Sequence, residues 1–516
     1  MRSITLLPIL ITLSSCVTTP SPEPTTIDPY HGTALKWHQG SIESAFKQAK
    51  KEGKLVFLYW GAKWCPPCNE LKAQVFSQPR FAELMTSSIP VYLDGDSEYA
   101  QTWGELLQIS GYPTLLLLTD QKEELMRISE SLTFDEFSAT YLDAVSGGRD
   151  SFMERFEAGI SGNATPQQWR LLAYGSWYAI RGIDLHSDAM LEKRMKLIAN
   201  VPTRLKTEKA ILSAELMKSA AELDRNSAII RKLRTQAVKY FDSFLNDDES
   251  IYAARTTIIY SMKPILTWAF NKNQQTILQQ SRSKWLSAAK KIRENPDLSV
   301  DTRLWSWYPE IETYEMDLPS SEKSLPDLQI KVRDAVIAAD SAAKSDFERQ
   351  AVISGAAHLL ARVKLYDEAA ELLLNEAKKS LYPYYYYSSL SSLESKRGNE
   401  KKSLEYSQKA SQSASGKATK LQWLIQDIDT SVATSIPDKN QRIAALLDQF
   451  YNQIFSQKDG FSGRSYRSVK RLNKILSKYP LDSATSKKIK GYSLRCSRLE
   501  ERAKLRCNDH FSQLLQ

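Results

Sequence analysis

The feature that most constrains this fold is a pair of cysteines, Cys65 and Cys68, separated by two prolines. The apolar run 55–60 directly precedes them and has the length and composition of a buried strand. Pro66 and Pro67 suit the first turn of a helix, where a missing backbone N–H does no harm. The motif therefore predicts a strand, a turn and a helix, with Cys65 at the helix N-terminus.

That placement predicts the chemistry of the pair. The unsatisfied N–H groups of a helix N-terminus stabilise the thiolate of Cys65. Cys68, one turn further on, can then attack a mixed disulfide formed at Cys65. Half of a zinc site is the alternative, but no second pair of Cys or His residues lies nearby: His38 is distant and Cys496 belongs to another region. We therefore predict thiol–disulfide exchange, with no metal and no cofactor.

Residues 35–149 show a pattern of short strands and helices around this motif. Apolar runs at 89–93, 115–119 and 124–128 predict three further strands. Helices are predicted at 41–52, 99–109 and 134–145. The order of these elements predicts an α/β domain, in which helices cover both faces of a small sheet.

Three motifs in this domain resemble the thioredoxin superfamily, and within it the periplasmic group related to the C-terminal domain of the DsbD reductase. Residues 64–68 match the family's W-C-x-x-C, residues 75–79 resemble its "vFsdp" stretch, and 112–114 lie where the family keeps a cis-proline. The resemblance implies a thioredoxin-like fold with Cys65 and Cys68 as the catalytic redox disulfide. It also implies protein thiol or disulfide substrates, contacted by Trp64, Tyr112 and Pro113.

One position departs from the family pattern. Many thioredoxins bury an aspartate six positions before the first cysteine, where this chain has Tyr59. Glu70 could substitute for that carboxylate, but we expect it on the exposed side of its helix. The resemblance therefore leaves open whether the pair reduces, oxidises or isomerises disulfides.

The first 34 residues predict an anchored protein. Residues 1–15 combine a short basic start with a short apolar run, too short to span a bilayer, and Leu13-Ser14-Ser15-Cys16 resembles a bacterial lipobox. The resemblance implies a signal peptide, lipidation of Cys16 and a periplasm-facing lipoprotein, with Val17 favouring the outer membrane over the inner. An ordinary secretory signal is the alternative. Residues 16–34, rich in Pro, Ser and Thr, predict an extended tether.

Residues 150–516 show helical periodicity and predict a large all-α region. Around 350–415, Ala369 and Ser403 are separated by the period of roughly 34 residues that tetratricopeptide repeats show, and Ala410 also fits that repeat. We expect a TPR-like helical array that can bind a client or a redox partner. Its tyrosine cluster, Tyr382 and 384–387, is either a binding surface or packing between helices.

The last two cysteines, Cys496 and Cys507, allow three interpretations. In one continuous helix over 491–507 their sulfurs would lie about 16 Å apart, too far for a disulfide. A turn near 500–502 would instead allow a structural disulfide. Free or intermolecular thiols are the second alternative, and a metal site using His510 is the third.

Two functions are consistent with these features. The first is a membrane-anchored periplasmic thiol–disulfide oxidoreductase whose helical region recruits clients or a redox partner. The second is an envelope scaffold in which the thioredoxin-like domain serves mainly for docking. The net charge of +9 is a mild excess for 516 residues, and no nucleic-acid-binding motif is present, so a nucleic-acid partner is not expected.

Overall fold

The structure is a computed structural model that describes residues 35–177, 184–223, 225–318, 320–479 and 481–515. The predicted signal peptide, the tether and Cys16 lie outside the described residues. Within the described parts, no helix is both long and apolar enough to cross a bilayer.

The first part of the chain forms a mixed four-stranded sheet. Its strands are β1 (Leu55–Gly61), β2 (Ser88–Asp94), β3 (Thr114–Leu118) and β4 (Glu124–Ile128). They lie in the order β2-β1-β3-β4, with β1 parallel to β2 and antiparallel to β3, and with β3 antiparallel to β4. The central strand β1 is almost wholly buried, as its continuous apolar sequence predicts.

Five helices accompany this sheet, and apolar clusters cover both of its faces. They are α1 (Ile42–Glu52), α2 (Pro66–Leu71), α3 (Pro79–Leu84), α4 (Ala100–Leu106) and α5 (Phe134–Ser146). A π-helical turn, Lys72–Phe76, extends α2. On one face Phe57 packs against Phe137 and Tyr141, and on the other Val56 and Leu58 pack with residues of α1 and α4. The predicted α/β domain with helices on both faces is confirmed.

The remainder of the described chain is helical. Its helices are α6 (Phe152–Ile160), α7 (Pro166–Tyr174), α8 (Asp188–Asn200), α9 (Lys206–Ala221), α10 (Ala228–Thr235), α11 (Ala237–Leu245), α12 (Asp248–Ala253), α13 (Arg255–Tyr260), α14 (Met262–Ala269), α15 (Gln275–Glu294), α16 (Val300–Trp305), α17 (Tyr308–Met316), α18 (Leu325–Ala342), α19 (Asp346–Arg362), α20 (Tyr366–Lys379), α21 (Pro383–Lys396), α22 (Glu400–Ser413), α23 (Lys417–Ala433), α24 (Lys439–Phe455), α25 (Gly463–Leu476), α26 (Ser483–Ser493) and α27 (Glu501–Leu514). Short 3₁₀ turns occupy Ser320–Ser324 and Leu494–Arg498.

From α18 to α24 each helix packs against the next one in the chain, which is the arrangement of a helical repeat. Small residues lie where the helices approach closely: Ala369, Ser403 and Ala410 are all buried. Ser391 on α21 and Ser403 on α22 also exchange hydrogen bonds through their hydroxyl groups and main-chain oxygens. A long helical repeat region therefore follows the α/β domain, as predicted.

The C-terminal helices differ from the single continuous helix that the sequence over 491–507 resembles. Helix α26 ends at Ser493, the 3₁₀ turn ends at Arg498, and α27 begins at Glu501. Of the alternatives for this segment, the structure has the turn and not the single helix, although no Gly or Pro breaks it, because the chain folds back to pack both segments on a common apolar cluster. The fold places Cys496 and Cys507 in a disulfide, with their Cα atoms 5.6 Å apart.

The helical region contacts the thioredoxin-like part of the chain at widely separated points. Arg255 at the start of α13 pairs with Glu136 of α5, and Gln350 of α19 accepts a hydrogen bond from Asn69 of α2. At the far end of the chain, Arg506 of α27 forms two bonds with Glu105 of α4, at 2.6 and 2.8 Å. Helices early, midway and late in the region thus all pack on the small α/β domain.

Candidate active site

The cysteine pair lies where the sequence predicts, at the junction of β1 and α2. Cys65 is the N-cap of α2, and the backbone N–H of Cys68 donates a hydrogen bond to its sulfur at 3.2 Å. The two residues form a disulfide, with Cα atoms 5.2 Å apart. A sulfur that accepts an N–H bond in this position is stabilised as a thiolate once the disulfide is reduced.

The predicted substrate-contacting residues surround this junction. The Tyr112–Pro113 peptide bond is cis, and both residues line the same cavity as Pro66 and Pro67. The Trp64 ring lies beside the Tyr112 ring, with centroids 5.6 Å apart. The structure therefore brings Trp64, Tyr112 and Pro113 together next to the cysteine pair.

Two residues that the sequence analysis did not identify hold Trp64 and Tyr112 in place. The indole Nε1 of Trp64 donates to Asp96 at 3.0 Å, and Arg464 of α25 donates to both Asp96 and the Tyr112 hydroxyl at 3.3 Å. The Arg464 guanidinium also lies 5.1 Å from the Trp64 ring centroid, within cation–π range. Thr419 of α23 adds a backbone N–H bond to Asp96 at 3.0 Å. The helical region thus fixes both side chains.

Tyr59, which replaces the family's aspartate, is fully buried and packs against Phe76 and Tyr92. Its hydroxyl has no hydrogen-bond partner among the described residues, and burial raises its pKa well above the usual value. Burial, and then the neighbouring Asp96, raise the pKa of Asp94 to about 6. Burial also lowers the pKa of Lys72 to about 8. A buried carboxyl with a raised pKa, that of Asp94, therefore acts on Tyr59 even though the family's aspartate is missing.

The expected surface position of Glu70 is wrong. Glu70 is only 7% exposed, because α16 of the helical region covers it. Its carboxylate accepts hydrogen bonds at 2.5 Å from the hydroxyls of Ser131 and Ser299, and a longer bond from Thr302. The side chain faces the helical region, on the same side of α2 as Pro66 and Pro67, and it lines the cavity in front of them.

A cavity of about 400 Å³ separates the redox junction from the helical region. Pro66, Pro67 and the cis-proline loop form one wall, and Tyr260, Trp305 and Tyr385 form much of the other. A second cavity of about 360 Å³ adjoins it and shares the wall formed by 129–131, Arg255 and Thr256. These volumes are typical of sites that hold small molecules.

Some residues of the tyrosine cluster pack between helices, and one of them lines the cavity. Tyr384 and Tyr386 are buried between helices, as one of the two interpretations expects. Tyr385 instead lines the cavity and stacks on Trp64, with ring centroids 6.0 Å apart. A run of tyrosines was the only sequence signal for this contact. Asp96 and Arg464 carry no signal, because the bond between them joins residues 368 positions apart in the chain.

The C-terminal cysteines lie in the core of the last helices and not at the redox site. His510 is buried there, bonded to the Tyr451 hydroxyl at 3.0 Å and to Asn473, and burial lowers its pKa to about 4. In the described part of the chain, no group of three or more His, Cys, Asp or Glu residues could hold a metal ion.

Comparisons with known proteins agree with the fold of the first domain. Residues 36–119 match the model of a family described as thioredoxin-like. A relative from Arabidopsis thaliana, "TPR repeat-containing thioredoxin TDX", is 33% identical over 94 residues, which are 18% of this chain and 23% of that protein. The chain thus matches less than a quarter of the length of this curated relative.

One solved structure, "Circular tandem repeat protein with novel repeat topology and enhanced subunit contact surfaces", aligns with 74% of this chain and 84% of its own at 11% identity. Its TM-score of 0.24 is too low to support any inference. The family match, the relative and the fold together identify residues 36–119 as a thioredoxin-like domain, and a long helical repeat region follows it.

Proposed function

We propose that this protein is a thiol–disulfide oxidoreductase that uses Cys65 and Cys68. The observation that carries the proposal is the Cys65–Cys68 disulfide at the start of α2, beside a cis-proline loop, in a domain of thioredoxin-like fold. A domain used only for docking has no chemical need for either sulfur. Thiols and disulfides of proteins are the substrates that the thioredoxin-like domain implies.

The reaction follows from the positions of the two sulfurs. In the reduced protein the thiolate of Cys65, supported by the Cys68 N–H, attacks one sulfur of a substrate disulfide. One half of the substrate leaves as a thiolate and the other remains bound to Cys65. Cys68, one helical turn away, then attacks Cys65, releases the second half and restores the disulfide. The reverse sequence oxidises a dithiol, and the potential of the partner decides the direction.

A turnover assay with a matched control tests this function. We expect the wild type, resupplied with electrons by a dithiol, to cleave bis(2-hydroxyethyl) disulfide faster than the dithiol alone. Cys65→Ser should lose this activity, whereas a Cys496→Ser/Cys507→Ser double variant should retain it. Equal rates for the wild type and Cys65→Ser would overturn the enzyme proposal and leave the scaffold function. In Cys68→Ser, a mixed disulfide trapped at Cys65 would identify the client or redox partner.

We further propose that the protein is anchored to the bacterial envelope through a lipid on Cys16, facing the periplasm and favouring the outer membrane. The support is the sequence of residues 1–34 alone, where a lipobox-like stretch precedes a Pro-rich tether. Metabolic labelling with a fatty acid tests it: the wild type should incorporate label and Cys16→Ala should not. Label in both proteins, or in neither, would contradict the anchor.

A further inference from the structure

The redox site is enclosed by the protein's own helical region. Cys65 is 2% exposed and Cys68 is fully buried. Helix α19 lies along α2, where Gln350 accepts a hydrogen bond from Asn69 at 3.0 Å and the Phe347 ring lies 5.2 Å from the Lys72 ammonium. The surface that an isolated thioredoxin-like domain would offer to a folded substrate is therefore already occupied.

The open space nearest to Cys65 is the cavity between the two regions, which is lined by Pro66, the residue that follows Cys65 in the chain. The cis-proline loop and Pro66–Pro67 form its floor, and aromatic side chains of the helical region, among them Tyr385, form its roof. At about 400 Å³ it has room for a molecule of roughly tripeptide size but not for a folded protein. The enclosure therefore selects substrates first by their size.

The charged side chains that line this cavity also select substrates by their charge. Burial, and then the neighbouring Glu70, raise the pKa of Asp301 well above its usual value, and its buried Oδ1 has no hydrogen-bond partner among the described residues. Burial, and then Glu215, raise the pKa of Glu130. The cation on this wall, Arg255, is already held by two bonds to Glu136. Glu70, Glu130 and Asp301 thus line the cavity together, and an ammonium group bound beside them would favour the charged forms that burial disfavours.

From this geometry we infer that the site accepts a disulfide on a slender, positively charged carrier and excludes the disulfides of folded proteins. The carrier is either a free aminothiol disulfide or a short, unfolded basic segment, because both offer the same chemistry to the cavity. Its ammonium group lies toward Asp301 and Glu130 while its sulfur reaches Cys65. This inference rests on the proposed oxidoreductase function and adds the substrate class.

The reaction balances with two electrons from an external dithiol. The Cys65 thiolate forms a bond to one substrate sulfur as the substrate S–S bond breaks, and the first aminothiolate leaves. The Cys68 thiol gives up its proton to the released thiolate and attacks Cys65, which expels the second aminothiolate. The dithiol then reduces the Cys65–Cys68 disulfide and is itself oxidised to a cyclic disulfide.

The test compares disulfides that differ in charge or size. Cystamine, bis(2-hydroxyethyl) disulfide and 3,3′-dithiodipropionate have similar length and carry positive, neutral and negative ends. A short unfolded lysine-containing peptide disulfide and insulin complete the series. Each rate is divided by the rate at which the dithiol alone cleaves the same disulfide. The variant is Asp301→Asn/Glu130→Gln, and the matched control is Glu322→Gln, which changes an exposed carboxylate away from the cavity.

We expect cystamine to exceed the neutral disulfide by about tenfold, the size of effect that one partly desolvated charge interaction gives. The dianion should be slower, insulin should react no faster than with the dithiol alone, and the peptide shows whether an unfolded segment can enter. The double variant should lose the charge preference, so that cystamine and the neutral disulfide react at similar relative rates, whereas Glu322→Gln should keep the preference.

Rapid insulin cleavage would overturn the enclosure, and an unchanged charge preference in the double variant would overturn the role of Asp301 and Glu130. Both results would leave the oxidoreductase function intact. Failure with every disulfide would instead refute the proposed function itself.

Discussion

The ion pair between Arg255 and Glu136 gives the sharpest test of how the helical region holds the thioredoxin-like domain. The two side chains are 7% and 19% exposed, and two hydrogen bonds of 2.7 and 2.6 Å join them. Arg255 also donates to the main-chain oxygens of Ser131 and Tyr252. Arg255→Met would keep the length of the side chain and leave Glu136 buried without its cation.

Removing one partner of a buried pair costs about 3–5 kcal/mol. Glu136 keeps two bonds from Thr133, at 2.8 and 3.1 Å, so we expect the lower end of this range, about 3 kcal/mol. Hydrogen exchange of the α5 amides should therefore speed up by about 100-fold, since every 1.4 kcal/mol corresponds to a factor of ten.

The matched control is Arg333→Met. Arg333 forms an equally bidentate pair with Glu368, at 2.9 and 2.7 Å, but both side chains are about two-fifths exposed, at 39% and 40%. Exposed pairs contribute about 0–1 kcal/mol, so exchange near Arg333 should change by less than about fivefold. Equal effects of the two substitutions would refute the argument that burial of the Arg255 pair decides its contribution.

The effect of Arg255→Met should also depend on pH. Burial would raise the pKa of Glu136, but the adjacent Arg255 outweighs burial and lowers it. A lowered carboxyl pKa stabilises the fold above the unfolded pKa of about 4.3, and this stabilisation is lost as the pH falls through the folded value. The difference between wild type and variant should therefore be largest at pH 7 and shrink below pH 4. A difference that is constant with pH would contradict the assignment.

Four further variants have distinct expected outcomes. Tyr59→Phe removes a buried hydroxyl that has no partner among the described residues, so the free energy of unfolding should stay unchanged or rise by about 1 kcal/mol. Tyr141→Phe instead loses a buried 2.6 Å hydrogen bond to Ser88 and should lower the free energy of unfolding by about 1 kcal/mol, and urea titrations measure both changes. Replacing both Cys496 and Cys507 with Ala should cost about 3 kcal/mol by releasing a short loop, and no loss would contradict a structural disulfide. Burial lowers the pKa of His510 to about 4, so the stability that neutral His510 contributes is complete above pH 6.5 and is lost as the pH drops toward 4. In His510→Asn the free energy of unfolding should lack this loss between pH 6.5 and 4. An identical pH dependence of stability in wild type and variant would refute the assignment.

The local features of the site could be predicted from sequence because each is encoded in a short segment. The apolar run before Cys65 specifies β1, the two prolines fit the first turn of α2, and Tyr112-Pro113 forms the cis-proline loop. Strand and helix patterns depend on residues that are neighbours in the chain, so a single sequence is enough to reveal them.

The enclosure of the site could not be predicted in this way. Asp96 contacts Thr419 and Arg464, and Glu105 contacts Arg506, over separations of more than three hundred residues that leave no local pattern. The pattern of α2 alone predicts an exposed Glu70, but α16, which lies more than two hundred residues further along the chain, buries it. The sequence leaves open whether a turn breaks the helix before α27, because packing of both segments on one core, which outweighs the helical propensity of residues 491–507, has no local signal.

The central claim is that a reactive Cys65 lies under a cover made by the helical region. Its most direct test is the rate at which two maleimides of identical chemistry, N-ethylmaleimide and a 5-kDa polyethylene glycol maleimide, modify Cys65 in the protein after mild reduction. Mass spectrometry of the peptide that contains Cys65 measures each rate, and the same pair of rates in urea supplies the control. We predict that the small reagent modifies native Cys65 while the large one does so only after unfolding. If the ratio of the large reagent's rate to the small reagent's rate were the same in the native and the unfolded protein, the account would be contradicted.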